Sequence, residues 1–412
     1  MNRMYTRAIE IARSKINGGP DHPTFRRPYL DAAFFGRLFY WDTCFIASWA
    51  KYHIDELPIE QSLDNFYTLQ DDDGFICREY SPEGVACWPR EHPVSTNPPL
   101  LAFAELELYS QSGDVERLRR VYPNLKREFE FRRANHEMED GLYYCDGFGS
   151  GMDNVPRYPD GWTDDGQGIP LTYRPGLGAS DKVFSDISRN LSTRWNTQGR
   201  MIDINCQMVL CARSLAQIVS EISRFGEVSV DDEVEYNRFA ECLIERTNDR
   251  MWSDAHAFYF DLAHGEPLER FHIGAYWALL AGVVPREHAG RFVAHLLDPA
   301  MFCTNVSVPS MPRAEPLYDP DGEYWRGGVW PPATYMVLRG LRRYGFEREA
   351  KQIAQSIYAC VTTVFNRDDT FYEFYKPEAH ERGYVKDFDH HAVEDFCGWS
   401  ALVPISIYRE FL

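Results

Sequence analysis

Apolar residues recur at spacings of three and four along much of the chain, which is the repeat of a helix with one buried face. Two residues, Phe225 and Gly226, follow the clearest such run and are expected to end its helix. That run consists of Ile204, Met208, Cys211, Leu215, Ile218 and Ile222. The whole chain interpreted in this way predicts about twelve helices, near residues 1–16, 39–53, 58–70, 99–112, 115–137, 202–225, 231–251, 272–280, 285–296, 333–344, 347–365 and 398–412.

The predicted helices fall into pairs. Gly113, Gly226 and Gly345 separate the helices of three pairs, at intervals of 226 − 113 = 113 and 345 − 226 = 119 residues, or about two pairs each. A glycine between two helices is typical of an αα-hairpin. Repetition at tens of residues indicates a repeated supersecondary unit. After the second helix, a short polar loop and an aromatic, strand-like segment recur at residues 73–78, 140–145, 256–261 and 369–374.

Six helical hairpins in a ring close on themselves, whereas an open solenoid needs polar capping repeats at its ends. Both terminal segments of this chain are amphipathic, and no Pro/Ser-rich linker divides it. The sequence therefore predicts an all-α fold, an (α/α)6 barrel of six helical hairpins, as a single domain over residues 1–412. Long stretches rich in Gly, Pro, Asp and aromatic residues, at 147–200 and 301–332, are expected to lie over the barrel mouth.

Composition narrows the partners. The formal charge of −19 argues against nucleic acid or an anionic membrane surface, because both are polyanions. No apolar run approaches the ~18 residues of a membrane helix, and residues 1–15 lack the apolar stretch of a secretion signal. The ten cysteines form no Cys-x-x-Cys or Cys/His zinc spacing, which predicts reduced thiols in the cytoplasm. The aromatic content of 15% fits a small sugar as partner, and equally an aromatic core.

Two carboxylates stand in unusual local sequence. Asp153 lies in the Gly-rich run 149–154, inside the first long stretch, and Glu373 lies among four aromatic residues at 371–375. A carboxylate among aromatics is costly unless it has a task or a partner. Glycoside hydrolysis commonly uses two such groups, one as acid and one as base or nucleophile. The alternatives are that Glu373 is a buried carboxylate paired with an arginine and that Asp153 is an Asx-turn residue.

Four motifs in order carry a family resemblance: residues 39–43 (Phe-Tyr-Trp-Asp-Thr), 150–154 (Ser-Gly-Met-Asp-Asn), 324–330 (Tyr-Trp-Arg-Gly-Gly-Val-Trp) and 371–375 (Phe-Tyr-Glu-Phe-Tyr). The resemblance they carry runs from about residue 39 to 402, nearly the whole chain. The chain resembles the trehalase-like catalytic domains of glycoside hydrolase family 63, and is similar in particular to small bacterial mannosylglycerate and glucosylglycerate hydrolases. The family 37 trehalases are similar more distantly.

The resemblance implies an (α/α)6 barrel and an inverting glycosidase acting on a small α-linked glucoside or mannoside. It implies that Asp153 is the general acid and Glu373 the general base. It also implies that Trp41 stacks on the glycone sugar while Asp42 accepts hydrogen bonds from its hydroxyls. No cofactor or metal is expected. Further candidate substrate-binding residues are Tyr40, Trp88, Asn97, Arg157, Tyr324, Trp325, Arg326, Trp330, Tyr375 and Trp399.

The chain departs from the trehalase pattern at two places. Residues 95–99 read Ser-Thr-Asn-Pro-Pro, so the arginine of the trehalase Arg-Ser-Gln-Pro-Pro motif is absent and Asn97 replaces its glutamine. The Pro-Asn-Gly expected after Ile76 is replaced by Cys77, Arg78 and Glu79. These departures argue against trehalose as the substrate. Arg326 is expected either to form a structural ion pair or to keep Glu373 ionised. Candidates for binding an anionic aglycone such as glycerate are Arg90, His92, Arg157, Arg174 and Arg313.

An acidic and histidine-rich cluster near the C-terminus allows two interpretations, a lid over the barrel mouth or a metal site. No His-x-x-x-His spacing supports the metal site. Among rival enzymes, a sugar epimerase would use the pair His390 and His391, and a phosphorylase would need an anion site. A helical-repeat binding protein would instead have an exposed groove without a catalytic pair. The cluster consists of Asp387, Asp389, His390, His391 and Glu394.

Overall fold

The computed structural model describes residues 3–33, 36–88, 90, 95–145, 149–157, 199–225, 230–385 and 390–412. This part of the chain is mostly helical. Its α-helices are α1 (Arg3–Ser14), α2 (Tyr40–Ala50), α3 (Ile59–Leu69), α4 (Leu101–Ser112), α5 (Val115–His136), α6 (Ile202–Ser223), α7 (Val230–Met251), α8 (Trp277–Ala281), α9 (Arg286–Leu297), α10 (Pro331–Arg343), α11 (Glu347–Asp368) and α12 (Tyr408–Phe411).

Short antiparallel strands connect the helices, and each is two or three residues long. Strand β1 pairs with β2, β3 with β4, β6 with β7, β10 with β11, and β8 lies between β5 and β9. The strands are β1 (Ile16–Asn17), β2 (Tyr29–Leu30), β3 (Leu38–Phe39), β4 (Glu79–Tyr80), β5 (Gly199–Arg200), β6 (Trp252–Ser253), β7 (Phe258–Tyr259), β8 (Asp261–Ala263), β9 (Glu266–Leu268), β10 (Tyr384–Val385) and β11 (His390–His391).

One set of helices forms a closed series of contacts. Helix α2 contacts α4, α4 contacts α6, α6 contacts α8, and α8 contacts α10. The 3₁₀ turn Ser400–Leu402 contacts both α10 and α2, so the series returns to its first member. All eleven residues of α2 are buried, as expected for a helix enclosed on every side. The first turns of these inner helices and the loops before them can therefore face a common interior.

Four further helices, the outer helices, contact members of this inner set. Helix α3 contacts α2, α5 contacts α4, α7 contacts α6, and α11 contacts α10. Each outer helix follows its inner partner in sequence, which is the predicted hairpin arrangement. Gly113 ends α4 with φ +64°, and Gly345 has φ +83° between α10 and α11. This left-handed conformation suits glycine because it has no Cβ. Gly226 lies outside the described residues.

The predicted helix bounds agree with the structure to within three residues at most ends, with two exceptions. The helix predicted at 272–280 begins as the 3₁₀ turn Ile273–Tyr276 before α8. The regular helix predicted at 398–412 is wrong, since this segment is a 3₁₀ turn, a π-helical turn at Val403–Ile407 and then α12. Pro404 has no N–H to donate, which breaks the α-helical hydrogen-bond ladder there. Within the described residues, no helix is both long and apolar enough to cross a membrane.

Candidate active site

Three carboxyl groups from distant parts of the chain line one cavity. Asp42 belongs to the first turn of α2, Asp153 to the loop before α6, and Glu373 to the segment after α11. Asp153 and Glu373 are 373 − 153 = 220 residues apart in sequence. The remaining lining residues are mostly aromatic, the composition of a site for a flat, polar-edged ligand. They are Phe39, Trp41, Arg78, Asn97, Gly151, Tyr324, Trp325, Trp330 and Trp399.

Asp42 and Trp41 present buried polar atoms to this cavity wall. Among the described residues, neither Oδ1 of Asp42 nor Nε1 of Trp41 has a hydrogen-bond partner. Burial raises the pKa of Asp42 to about 8, against the opposing effects of its own peptide N–H and of Arg78. Buried polar groups are normally satisfied, so two unsatisfied ones in a cavity indicate a position for a polar ligand.

Glu373 is held through its backbone while its carboxyl group lines the cavity. Its N–H donates to the carbonyl oxygen of Val393 at 2.9 Å, and Nε1 of Trp399 donates to its carbonyl oxygen at 2.7 Å. Burial, and then the charges of Asp42 and Asp153, raise the pKa of Glu373 to about 8. Arg326 is not among the lining residues. The pKa of Glu373 is raised and no arginine is among the causes, so the prediction that an arginine keeps Glu373 ionised is wrong.

Asp153 contacts a tyrosine and an arginine. The hydroxyl of Tyr324 donates to Oδ2 of Asp153 at 3.4 Å, and Nη2 of Arg78 lies 3.9 Å from Oδ1. Sequence reasoning did not include Arg78 among the site residues. The departure from the trehalase pattern after Ile76 could have indicated Arg78, because it places a charged residue where that pattern has none.

Aromatic rings build the wall next to Glu373. Trp325 and Trp330 stack with their ring centroids 4.0 Å apart and their planes 2° from parallel. Trp330 also stacks on Phe374 at 4.6 Å, and Trp399 meets it edge-on at 5.8 Å. A stack of this kind holds its members in fixed positions.

The loop before Asp153 packs directly on Trp41. Gly151 has φ +80°, and a Cβ atom there would lie 3.1 Å from the Trp41 ring. One face of the indole is therefore covered by backbone, which limits sugar stacking to the rest of the ring. Asn97 adds a polar group from the segment before α4. Its amide donates to the carbonyl oxygen of Gly149 at 3.5 Å, and Arg132 donates to its backbone oxygen.

Five predicted substrate-binding residues are not among the described lining residues: Tyr40, Trp88, Arg157, Arg326 and Tyr375. The Tyr40 hydroxyl donates to buried Glu128, and the Tyr375 hydroxyl accepts from the N–H of Tyr372 at 3.2 Å. Both tyrosines are fully buried and contribute to the walls of the helical interior instead. Both tyrosines were candidates because their motifs also contain residues that line the cavity, such as Trp41 and Glu373.

Trp88 supports the site from behind. Its indole N–H donates to Glu79 at 2.7 Å, and the Arg78 guanidinium lies 5.2 Å from its ring centroid. Trp88 thus packs on Arg78 through a cation–π contact rather than on the cavity. Arg326 is half-buried, and its backbone N–H donates to the carbonyl oxygen of Glu323 at 2.8 Å.

The arginines predicted for an anionic aglycone pair with carboxylates of the protein. Arg90 pairs with Asp71 and Asp73. Arg313 donates from Nε to Glu378 at 2.6 Å. Arg157 pairs with the buried carboxylates of Asp203 and Asp261. His92 and Arg174 lie outside the described residues. Of these candidates, none that the structure describes lines the cavity with Asp153, and Arg78 does.

In the histidine-rich cluster near the C-terminus, Asp387 and Asp389 lie outside the described residues. His390 and His391 form strand β11, which pairs with β10, and Glu394 forms a β-bridge with Tyr372. The described residues contain no group of three or more His, Cys, Asp or Glu side chains placed to hold a metal ion.

Residues 37–391 match the family described as the mannosylglycerate hydrolase MGH1-like glycoside hydrolase domain. The chain belongs to this family. It is therefore a glycoside hydrolase, and its resemblance to family 63 is confirmed.

Individual relatives are distant. A mannosylglycerate hydrolase of Rubrobacter radiotolerans is 24% identical and aligns over 82% of this chain and 85% of its own length. An uncharacterized protein of Borreliella burgdorferi is 23% identical over 81% of this chain, which spans 62% of that protein. The solved structure of GH63 mannosylglycerate hydrolase from Thermus thermophilus in complex with glucose has a TM-score of 0.74 at 20% identity, covering 98% of this chain and 99% of that one. This structural likeness shows a shared fold.

Proposed function

We propose that the cavity is the active site of an inverting α-glycosidase in which Asp153 is the general acid and Glu373 the general base. The observation that carries this proposal is the meeting of these two carboxyl groups, 220 residues apart in sequence, in one aromatic-lined cavity. A glycosidase of this kind needs its two carboxyl groups on opposite sides of the sugar, roughly 6.5–9.5 Å apart, with a water beside the base.

In the proposed step, Asp153 transfers its proton to the glycosidic oxygen as the bond from that oxygen to the anomeric carbon breaks. A water molecule forms the new bond to the anomeric carbon from the opposite face and passes its proton to Glu373. The configuration at carbon is inverted by this single displacement. A base with a raised pKa accepts a proton more readily once it is ionised, so burial of Glu373 strengthens it at the cost of needing a higher pH.

Asp42 and Trp41 would hold the glycone. The buried Oδ1 of Asp42 is an acceptor without a partner among the described residues, and a sugar hydroxyl supplies the missing donor. The indole N–H of Trp41 is a buried donor without an acceptor among the described residues, and a sugar oxygen would supply that acceptor. We expect glucose or mannose in α linkage, since both fit a small aromatic pocket that recognises hydroxyl groups.

The aglycone would lie beside Arg78. The general acid protonates the leaving oxygen, so the leaving group sits on the Asp153 side of the cavity, where the Arg78 guanidinium is 3.9 Å from the carboxylate. A guanidinium there favours a small anionic leaving group such as glycerate. The substrates we expect are therefore glucosylglycerate, mannosylglycerate or a small disaccharide, and not an α-glucan polymer.

We further propose that the inner and outer helices form an (α/α)6 barrel, and that residues 1–412 are one domain. The closed series of contacts through α2, α4, α6, α8, α10 and the turn Ser400–Leu402 supports this arrangement. A cytoplasmic location is part of the proposal. In support, eight of the ten cysteines are buried, as is common for thiols in a reducing compartment.

The test is to measure the release of free sugar from a panel of substrates. The panel consists of glucosylglycerate, mannosylglycerate, the corresponding glycerol glycosides, trehalose, kojibiose and nigerose. We expect the best kcat/KM on a glycerate glycoside and a lower value on its neutral glycerol analogue. Arg78→Gln should remove that preference for the anion. Cleavage of long α-glucans from within, or release of sugar only when phosphate is present, would overturn the proposal.

A further inference from the structure

The loop that carries Asp153 is fixed to the protein on both sides of this residue. On one side, Asn154 accepts at Oδ1 a hydrogen bond from the N–H of Trp325 at 2.6 Å and donates from Nδ2 to the carbonyl oxygen of Glu323 at 3.4 Å. These bonds hold Asp153 next to Tyr324. On the other side, Met152 is 2% exposed and packs against Gly274. A Cβ atom added at Gly274 would lie 2.6 Å from the methyl group of Met152.

Four residues after Asp153, Arg157 belongs to a buried charge cluster. Arg157 is 1% exposed. Its Nη1 lies 2.9 Å from Oδ2 of Asp261 and 3.3 Å from Oδ1 of Asp203, and its Nη2 also donates to Asp203. Asp203 belongs to the first turn of α6, where the helix dipole favours a negative charge. Asp261 begins β8 and accepts the N–H of Ile202 at 2.8 Å.

The cluster is ionic despite its burial. Burial alone would raise the pKa of Asp261, and the charges of Arg157 and His272 hold it well below its usual range. Nε2 of His272 lies 3.2 Å from Oδ2 of Asp261. Removing charged groups from water is expensive and rarely increases stability over an apolar alternative. A cluster of this kind fixes the position of the backbone beside it, because a planar guanidinium that bridges two carboxylates admits little displacement.

We infer that Arg157, held by Asp203 and Asp261, is a positioning residue that sets the place of Asp153 in the cavity. The inference rests on the proposed function, in which Asp153 donates the proton to the leaving oxygen. Arg157 itself does not touch the cavity, so its effect on the reaction passes through the four-residue connection to Asp153. Lysine keeps the charge but cannot bridge both carboxylates, so Arg157→Lys should loosen the loop without removing the charge.

The experiment compares two substrates that differ in their need for an acid. The first is the glycerate glycoside that the wild type hydrolyses best, and the second is the α-glycosyl fluoride of the same sugar, whose leaving fluoride needs little protonation. The variants are Arg157→Lys, Asp261→Asn and Asp153→Asn. The matched control is Arg117→Lys, since Arg117 is also buried and bridges Glu105 at 2.7 Å and Asp64 at 3.2 Å. None of these three residues is among the lining residues of the cavity. Melting temperatures are measured for all variants.

We expect Arg157→Lys to lower kcat on the glycerate glycoside about 10²-fold, as for a misplaced catalytic group, and on the fluoride by less than about threefold. Asp261→Asn should show the same split more weakly, and Arg117→Lys should lower the melting temperature without any split. Equal losses on both substrates for Arg157→Lys, or failure of both Arg157→Lys and Asp261→Asn to fold while Arg117→Lys folds, would overturn the positioning role. If Asp153→Asn itself loses equally on both substrates, the acid assignment fails instead, which separates the two claims.

Discussion

Nη2 of Arg78 lies 3.9 Å from Oδ1 of Asp153, in a cavity that the carboxyl groups of Asp42 and Glu373 also line. One guanidinium cannot neutralise three carboxylates, of which Asp42 and Glu373 are buried and Asp153 is half-buried. Burial first, and neighbouring carboxylates second, raise the pKa values of Asp42 and Glu373, each to about 8. The protonation of this group of side chains connects the chemistry of the site with the stability of the fold.

Removing either proposed catalytic group should lower turnover strongly and leave the fold intact. Asp153→Asn and Glu373→Gln are each expected to lower kcat by about 10²–10⁴-fold on the best glycerate glycoside, the usual contribution of a general acid or base. Circular dichroism and melting temperature report whether the variants fold. A variant that folds and keeps nearly wild-type kcat would remove its residue from the mechanism.

The acidic limb of the pH–rate profile should report Glu373. A general base works only when ionised, so kcat/KM should rise with pH through the pKa of Glu373, which lies near 8 and far above the ordinary 4.5. The charge of Asp42 contributes to raising this pKa. Asp42→Asn should therefore shift the limb to lower pH while weakening sugar binding. The control is Asp232→Asn on the outer helix α7, which should leave the acidic limb at its wild-type pH. If the limb in Asp42→Asn stays at that pH or moves to higher pH, the charge of Asp42 does not raise the pKa of Glu373.

The same group should make stability depend on pH. Glu373 has a pKa of 4.5 when exposed and about 8 in the fold, so the native state retains a proton that the unfolded chain loses. The stability it permits is fully present below about pH 4.5 and is lost as pH rises through about 8, on the order of a few kcal/mol. Glu373→Gln should therefore melt at a higher temperature than the wild type at pH 9, with a smaller difference at pH 5.

The matched control for that measurement is Glu56→Gln. The hydrogen bond from Arg13 lowers the pKa of Glu56, which is the opposite direction, so this variant should gain nothing as the pH rises. A melting-temperature difference between Glu373→Gln and wild type that does not change from pH 5 to pH 9 would show that the Glu373 carboxyl is not in the low-dielectric environment described here.

Features of the fold and the site were predictable from the sequence where they depend on neighbouring residues, and not where they depend on residues far apart in the chain. Helices such as α6 follow from apolar spacing alone, because the pattern and the element are both local. The meeting of Asp153 with Glu373 was expected only through the family resemblance. The burial of Arg157 was not expected, since its partner Asp261 is 104 residues away and only the assembled fold brings the two together.

Two further predictions were wrong for physical reasons: the regular helix at 398–412 and the ionisation of Glu373 by an arginine. The C-terminal segment has an apolar helical pattern, but Pro404 interrupts its backbone hydrogen bonds. The raised pKa of Glu373 depends on its burial and on the charges of Asp42 and Asp153, which no local pattern contains. Arg78 shows the converse case, because its position was visible as a departure from a known motif before its role was.

Gly151 should be required for the shape of the site. Ala at this position must adopt φ +80° and would place its Cβ atom 3.1 Å from the Trp41 ring, so the ring or the Asp153 loop must shift. We expect Gly151→Ala to lower kcat/KM at least tenfold. Gly113→Ala is the control, because it has φ +64° with nothing within 4 Å of the added Cβ. Both variants should lose about 1 kcal/mol of stability from the left-handed backbone; equal kcat/KM values in the two would exclude a role for the contact with Trp41.

The central claim is that Asp153 and Glu373 hydrolyse an α-glycoside by a single displacement with a water between base and sugar. The most direct measurement is proton NMR of the first sugar released from the best α-linked substrate, recorded before mutarotation mixes the anomers. The account predicts that the β-anomer appears first and that the signal is absent with Glu373→Gln. Initial release of the α-anomer would contradict it, because retention requires a covalent intermediate and carboxyl groups only about 5–5.5 Å apart.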